Sequence, residues 1–277
     1  MKNVNIPSIS VLGDKLHIIR AIQELYTYCK KLFLESASNE DVEALSESLQ
    51  KANTEVYNLK VIVGGLGGSV IYEVPNNIGK SLTTLMGNDG TVKLTDDVQS
   101  GRYGPGILAK NKTTLNLNGH NITFTGLTDS SAQPAIMSRG NQELTIQGKG
   151  TIDAGGGIAI EANGANSTIY IKGGTTTTIQ TNRPGAELVY CYAGNINISG
   201  GVFKNNGSPY LLNCYDANYR NGTAKITVTG GKFYDFDPGN NTAEGEGTSF
   251  LAEGYKSTET TVTEEGVEHR VYTVTKA

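Results

Sequence analysis

A six-residue phrase recurs five times and limits what this chain can fold into. Thr114-Leu115-Asn116-Leu117-Asn118-Gly119 is followed by Glu143-Leu144-Thr145-Ile146-Gln147-Gly148 and by Thr168-Ile169-Tyr170-Ile171-Lys172-Gly173. The last two copies are Asn195-Ile196-Asn197-Ile198-Ser199-Gly200 and Lys225-Ile226-Thr227-Val228-Thr229-Gly230. Strict alternation of apolar and polar residues, closed by glycine, is a strand with one buried face that ends in a turn. The copies start 29, 25, 27 and 30 residues apart. A near-constant period means one supersecondary unit stacked on copies of itself. Aligned on their glycines, the phrases place Leu117, Ile146, Ile171, Ile198 and Val228 in one core column.

The copies agree outside the phrase as well. A second apolar cluster precedes each one, as in Pro134-Ala135-Ile136-Met137 and Gly156-Gly157-Ile158-Ala159-Ile160. The last two copies share Gly-Gly-x-Phe after the phrase, at Gly200-Gly201-Val202-Phe203 and Gly230-Gly231-Lys232-Phe233. Each repeat therefore reads strand, bend, strand, glycine turn, short strand. The reading is a mainly β fold, a parallel β-solenoid over residues 105–238. Leucine-rich and ankyrin repeats are excluded, because the unit has no helical stripe. Asp216 to Gly222 is extra length in the last repeat, expected to loop out on one face.

The first 63 residues have another character. Apolar residues recur at helical spacing from Leu16 to Phe33. After an N-cap at Ser38 or Asn39, Val42, Leu45, Leu49, Ala52, Val56, Leu59 and Val63 alternate by three and four. A stripe two positions wide per heptad is the seam of a coiled coil. The competing reading is a helical hairpin folded on itself. The expected organisation is an N-terminal segment 1–13, a helical stalk 14–63, and a glycine hinge with transition 64–104. The solenoid follows over 105–238, then a strand-rich cap 239–277, whose last strands, Thr258 to Thr263 and His269 to Thr275, turn at Glu265-Gly266.

Composition excludes several functions. A net charge of −4 gives no basic surface for nucleic acid. Three cysteines make no disulfide framework. Met1 to Gly13 lacks a basic region followed by an apolar core, so no secretory signal is expected, and no apolar run reaches the roughly 20 residues of a membrane helix. The histidines His17, His120 and His269 have no ligand-spaced partners, so no metal or cofactor is expected. A glycan-cleaving site needs two carboxylates about 5–10 Å apart. Glu143, Asp153, Glu161, Glu187, Asp216, Asp235 and Asp237 fall at no shared register, and no catalytic residue is assigned. Cys191 and Cys214 do share one and read as stacked core side chains. Tyr190, Tyr192, Tyr210, Tyr215 and Tyr219 concentrate in the last two repeats, as contacts to a subunit or to a glycan.

A helical stalk, a glycine joint, Thr/Asn/Gly-rich repeats and a strand-rich end together resemble bacteriophage fibre and spike proteins with pectate-lyase-like β-helices. Leu115-Asn116-Leu117-Asn118-Gly119-His120-Asn121-Ile122 looks like the opening coil of that superfamily. The small size and the N-terminal helices are similar to head fibres of crAss-like phages. The resemblance implies a right-handed β-helix and a homotrimer. It also implies attachment of the N-terminus to a capsid or other virion protein, with assembly in the bacterial cytoplasm and residence on the virion. Host or mucosal polysaccharide is then the expected outward partner, with neither nucleic acid nor membrane. The alternatives are a polysaccharide-depolymerising tailspike enzyme and a bacterial surface adhesin.

Overall fold

The computed structural model describes residues 71–74, 90–94, 97–100, 107–109, 111–125, 134–174, 176–204 and 207–277. The heptad positions Val42, Leu45, Leu49, Ala52, Val56, Leu59 and Val63, and the glycine joint after them, lie outside the described residues. The described residues belong to one compact unit, Gly64–Ala277.

The unit is a mainly β parallel solenoid of about four turns. Three ladders of strands run along it. The first ladder contains β1 (Ile71–Val74), β2 (Gly90–Leu94), β5 (Lys112–Asn116) and β8 (Glu143–Gln147). It continues through the end of β10 (Ile158–Ile171), the middle of β12 (Val189–Lys204) and the start of β14 (Ala224–Tyr234). The second ladder contains β3 (Val98–Ser100), β6 (Ile122–Phe124), β9 (Gly150–Asp153) and β11 (Thr177–Gln180), then the ends of β12 and β14. The third contains β4 (Ile107–Ala109), β7 (Pro134–Arg139), the starts of β10 and β12, and β13 (Leu212–Cys214). The chain visits third, first and second ladder in turn, which is the order read from the repeats.

The core follows from the alternation. Val92, Leu115, Ile146, Ile171, Ile198 and Val228 are register partners in sequence along the first ladder, and all are fully buried. Val98, Ile122, Ile152, Ile179, Phe203 and Phe233 form the matching column of the second ladder. Ile136, Ile160, Val189 and Leu212 do so in the third. Burying each such side chain stabilises the fold by about 1.5–3 kcal/mol.

One position of the expected column needs correcting. Leu115, not Leu117, is the partner of Ile146. The stretch Leu-Asn-Leu-Asn satisfies period two in either register, and a slip of two residues keeps every side chain on its face. Leu117 is buried at the following corner, where its N–H donates to the Gln147 carbonyl at 2.9 Å. Asn118 then turns with φ of 52° and donates its amide to the Leu94 carbonyl at 2.8 Å. The glycine that closes the first copy therefore marks the corner imperfectly. The insertion Asp216 to Gly222 is also more ordered than a loop, because Asp216–Arg220 forms one helical turn.

The C-terminal end of each ladder is covered, as an unpaired strand edge requires. β14 pairs antiparallel with β16 (Val267–Lys276), and β16 pairs along ten residues with β15 (Tyr255–Glu264). Glu265 and Gly266 turn this hairpin with φ of 51° and 81°, the two-residue form that suits strand twist. In the first ladder, Val228 donates to the Phe250 carbonyl and its own carbonyl accepts from Ala252. In the third, the Cys214 N–H donates to Glu244 Oε1 at 2.6 Å, so a carboxylate stands where another strand would.

Asp235 pins the hairpin to the last coil. Its carboxylate meets His269 Nδ1 at 2.7 Å and accepts from the Arg270 N–H at 2.9 Å. Its own N–H donates to the Arg270 carbonyl at 2.7 Å, and its φ is 54°. Asp235→Ala deletes the side-chain bonds and leaves alanine in a left-handed conformation. The expected cost is about 1–3 kcal/mol, read as a lower denaturation midpoint and faster hydrogen exchange across 255–276.

Candidate functional site

The outward face of the third ladder differs from the other two. Along the first ladder the outward partners are Thr114, Thr145, Tyr170, Asn197 and Thr227, a mostly polar stripe. Along the third they are Met137, Glu161, Tyr190 and Asn213. Their chain neighbours Ile136, Ile160, Val189 and Leu212 point into the core, so these four point away from it. Even so, Met137 is 4% and Glu161 5% exposed.

Glu161 is a buried carboxylate. Asn163 Nδ2 donates to its Oε1 at 2.7 Å. Burial raises its pKa above the ordinary carboxylate range, against the pull of that bond and of Arg139. A raised value in the folded state contributes stability that is present at low pH and lost as pH rises through it. Glu161→Gln is therefore expected to exceed the parent protein in stability at neutral pH. The two should converge near about pH 4, where the parent carboxyl is protonated, a trend that urea melts across pH would read.

Tyr190 lies beside Glu161 in register, and its phenol is pushed up to about 12, by burial first and then by Glu161 and Glu187. It stays a neutral hydroxyl donor at any physiological pH. Asn213, its partner in the next coil, has a buried Oδ1 that accepts no hydrogen bond from the described residues. Two residues along the same face stand Tyr192 and Tyr215. Their rings stack with centroids 5.0 Å apart at 22°, and they are 41% and 42% exposed. The backbone carbonyl of Tyr192 accepts from Asn218 Nδ2 at 2.6 Å, which ties the short helix to this face.

Of the five tyrosines singled out in the sequence, Tyr190, Tyr192 and Tyr215 thus share one face. Tyr210 is exposed in the turn before β13. Tyr219 is half-buried on the helical turn, with its phenol raised by burial and by Glu244. Cys191 and Cys214 are register partners, both buried free thiols. The Cys214 thiol is pushed up by its hydrogen bond with Cys191 and by burial, which keeps it protonated and unreactive.

The candidate carboxylates have separate partners. Glu143 pairs with Lys112 at 3.0 Å, Asp153 accepts from Gln180 at 3.0 Å, and Asp216 meets Arg220 at 3.5 Å. Asp237 accepts from Ser257 at 2.6 Å and from the Gly239 N–H at 2.8 Å, and Asp235 holds the hairpin. None of those within strands is the register partner of another. Glu244, which spacing did not single out, has its pKa raised by burial. Its role could not be read from spacing, since it caps Cys214 from 30 residues away.

Among the described residues no group of three His, Cys, Asp or Glu could hold a metal ion, and no helix is long and apolar enough to cross a membrane. Comparison of the chain with protein-family models, characterised proteins and solved structures finds no match.

Proposed function

We propose that this chain is a structural protein of a bacteriophage particle, a homotrimeric head (or tail) fibre that touches host or mucosal surface glycans. In this reading residues 1–13 dock on a capsid or other virion protein and 14–63 form the coiled-coil stalk. A right-handed β-helix projects outward, and the protein is assembled in the bacterial cytoplasm and carried on the virion. The observation that carries the reading is the closed far end of the solenoid. All three ladders finish under residues 235–277, as a tip facing solvent requires, and the aromatic face lies in the last coils before that tip.

Light scattering of the purified protein tests it. The expected mass is three times the 29.4 kDa chain, and a monomer at micromolar concentration removes the fibre. Deletion of residues 1–63 should leave a folded β-rich domain that no longer enters particles, whereas normal incorporation would overturn the anchoring role. The depolymerase reading is separated by a polysaccharide screen for released reducing ends or unsaturated sugars, expected to be negative.

A further inference from the structure

We infer that the free edge of β15 docks a second copy of this chain, which adds its own β15 antiparallel about a two-fold axis at Thr260. The inference is independent of the fibre reading. Three features carry it: an unprotected strand edge, the direction of its backbone groups, and the one register in which its charges match.

β15 stands at the margin of the fold. It pairs with β16 alone, along ten residues without a bulge. Its sequence, YKSTETTVTE, contains no proline. Thr258, Glu259, Thr260 and Thr261 are exposed in succession, so neither face of the strand is covered there. A long regular edge of this kind is a template for another strand, and proteins usually blunt it with proline, bulges or charge. Here the only charges are Lys256, Glu259 and Glu264.

The backbone restricts how a second strand can join. The Ala277 N–H donates to the Gly254 carbonyl at 2.7 Å, which makes these two a hydrogen-bonded pair. In an antiparallel ladder such pairs recur at every second residue. Even-numbered residues of β15 therefore turn their N–H and C=O groups to β16, and Ser257, Glu259, Thr261 and Thr263 turn theirs outward. A second β15 bonds to that edge only where odd residues meet odd ones. A two-fold axis must then pass through a residue and not between two.

Charge selects the residue. With the axis at Glu259, two glutamates oppose each other. With the axis at Thr261, Lys256 falls opposite Gly266, outside the strand. With the axis at Thr260, Lys256 opposes Glu264 at both ends of the pair, Glu259 opposes Thr261, and Thr260 opposes itself. No other axis through β15 sets Lys256 against a carboxylate of the strand. Glu264 is already oriented, by Lys204 Nζ at 2.7 Å and the Tyr234 hydroxyl at 2.6 Å, and its side chain stays 40% exposed. A carboxylate accepts at about four sites, which leaves room for the lysine of a second copy. Opposite charges and facing threonines are cross-strand pairs that stabilise antiparallel sheet. One strand edge is far smaller than the roughly 1,600 Å² of a standard interface. A single contact is therefore weak, and it strengthens where several edges act together.

The test uses full-length Thr260→Cys, oxidised with copper phenanthroline at high protein concentration. Residues opposed in a non-hydrogen-bonded pair have Cα atoms about 4.5 Å apart, within disulfide reach. A disulfide-linked dimer is expected on a non-reducing gel, with the parent chain reporting the background of its own cysteines. Thr258→Cys and Val262→Cys oppose each other across the axis, so neither should bridge alone and their mixture should. Lys256→Glu added to Thr260→Cys should slow bridging about tenfold. Circular dichroism and thermal melts confirm that each variant is folded. Hydrogen exchange of the parent chain reads the contact without any substitution, and should slow across 255–264 as concentration rises. Thr260→Cys bridging no faster than the parent, Thr258→Cys bridging alone as fast as the mixture, or exchange indifferent to concentration overturns the inference.

Discussion

Phe203→Ala is expected to lower the stability of the solenoid by about 3–5 kcal/mol, a large share of a domain's total. Phe203 and Phe233 are register partners at the end of the second ladder, both fully buried. Their rings stack with centroids 4.7 Å apart and planes 4° from parallel. Truncating one ring removes its own burial and opens a cavity against the other. It also deletes a pair interaction of roughly 0.5–1.5 kcal/mol. A double-mutant cycle with Phe233→Ala isolates that last contribution, and the two single effects should not add. Equilibrium denaturation in urea reads both. A loss below about 1 kcal/mol would mean that the two rings do not share one packed interior.

Gly194→Ala should be nearly as damaging, although it adds a single methyl group. Gly194 links the third-ladder and first-ladder parts of β12 with φ of 102°, a conformation closed to side chains. A Cβ there would collide with the backbone carbonyl oxygens of Gly164 and Ser167 in the coil before. Neither carbonyl can move without breaking its own coil. The combined strain and overpacking is about 3 kcal/mol or more. By contrast Gly185→Ala, in the open turn before β12 with no neighbour near its Cβ, meets backbone strain alone, about 1–3 kcal/mol. Comparing the thermal midpoints of the two variants separates the close approach from the dihedral.

The ladders were legible because solenoid packing writes itself into sequence twice, as alternation within a strand and as recurrence between strands. Ile146, Ile171, Ile198 and Val228 needed only those two signals. The first coil was ambiguous because Leu115 and Leu117 answer both equally, and only the corner at Asn118-Gly119 decides. The Tyr192–Tyr215 pair was half legible. Tyr190-Cys191-Tyr192 and Asn213-Cys214-Tyr215 align by eye, but stacking depends on the side chains' directions. Glu161 gave a fainter signal. It ends the apolar run Ile158-Ala159-Ile160, and a strand apolar at successive positions is covered on both faces. Glu244 gave none, since a carboxylate that caps a strand edge through one hydrogen bond needs no spacing rule.

The parallel register of neighbouring coils underlies both the core columns and the outward face. It can be measured by cysteine cross-linking with peptide mapping. Register partners about 4.8 Å apart lie within disulfide reach. Asn197→Cys with Thr227→Cys, and Asn116→Cys with Gln147→Cys, are half-buried outward pairs and should each oxidise to an intramolecular bridge. Asn118→Cys with Gln147→Cys should not. Bridging of the Asn118 pair in preference to the Asn116 pair, or no bridge at Asn197 and Thr227, would contradict the stacked solenoid described above.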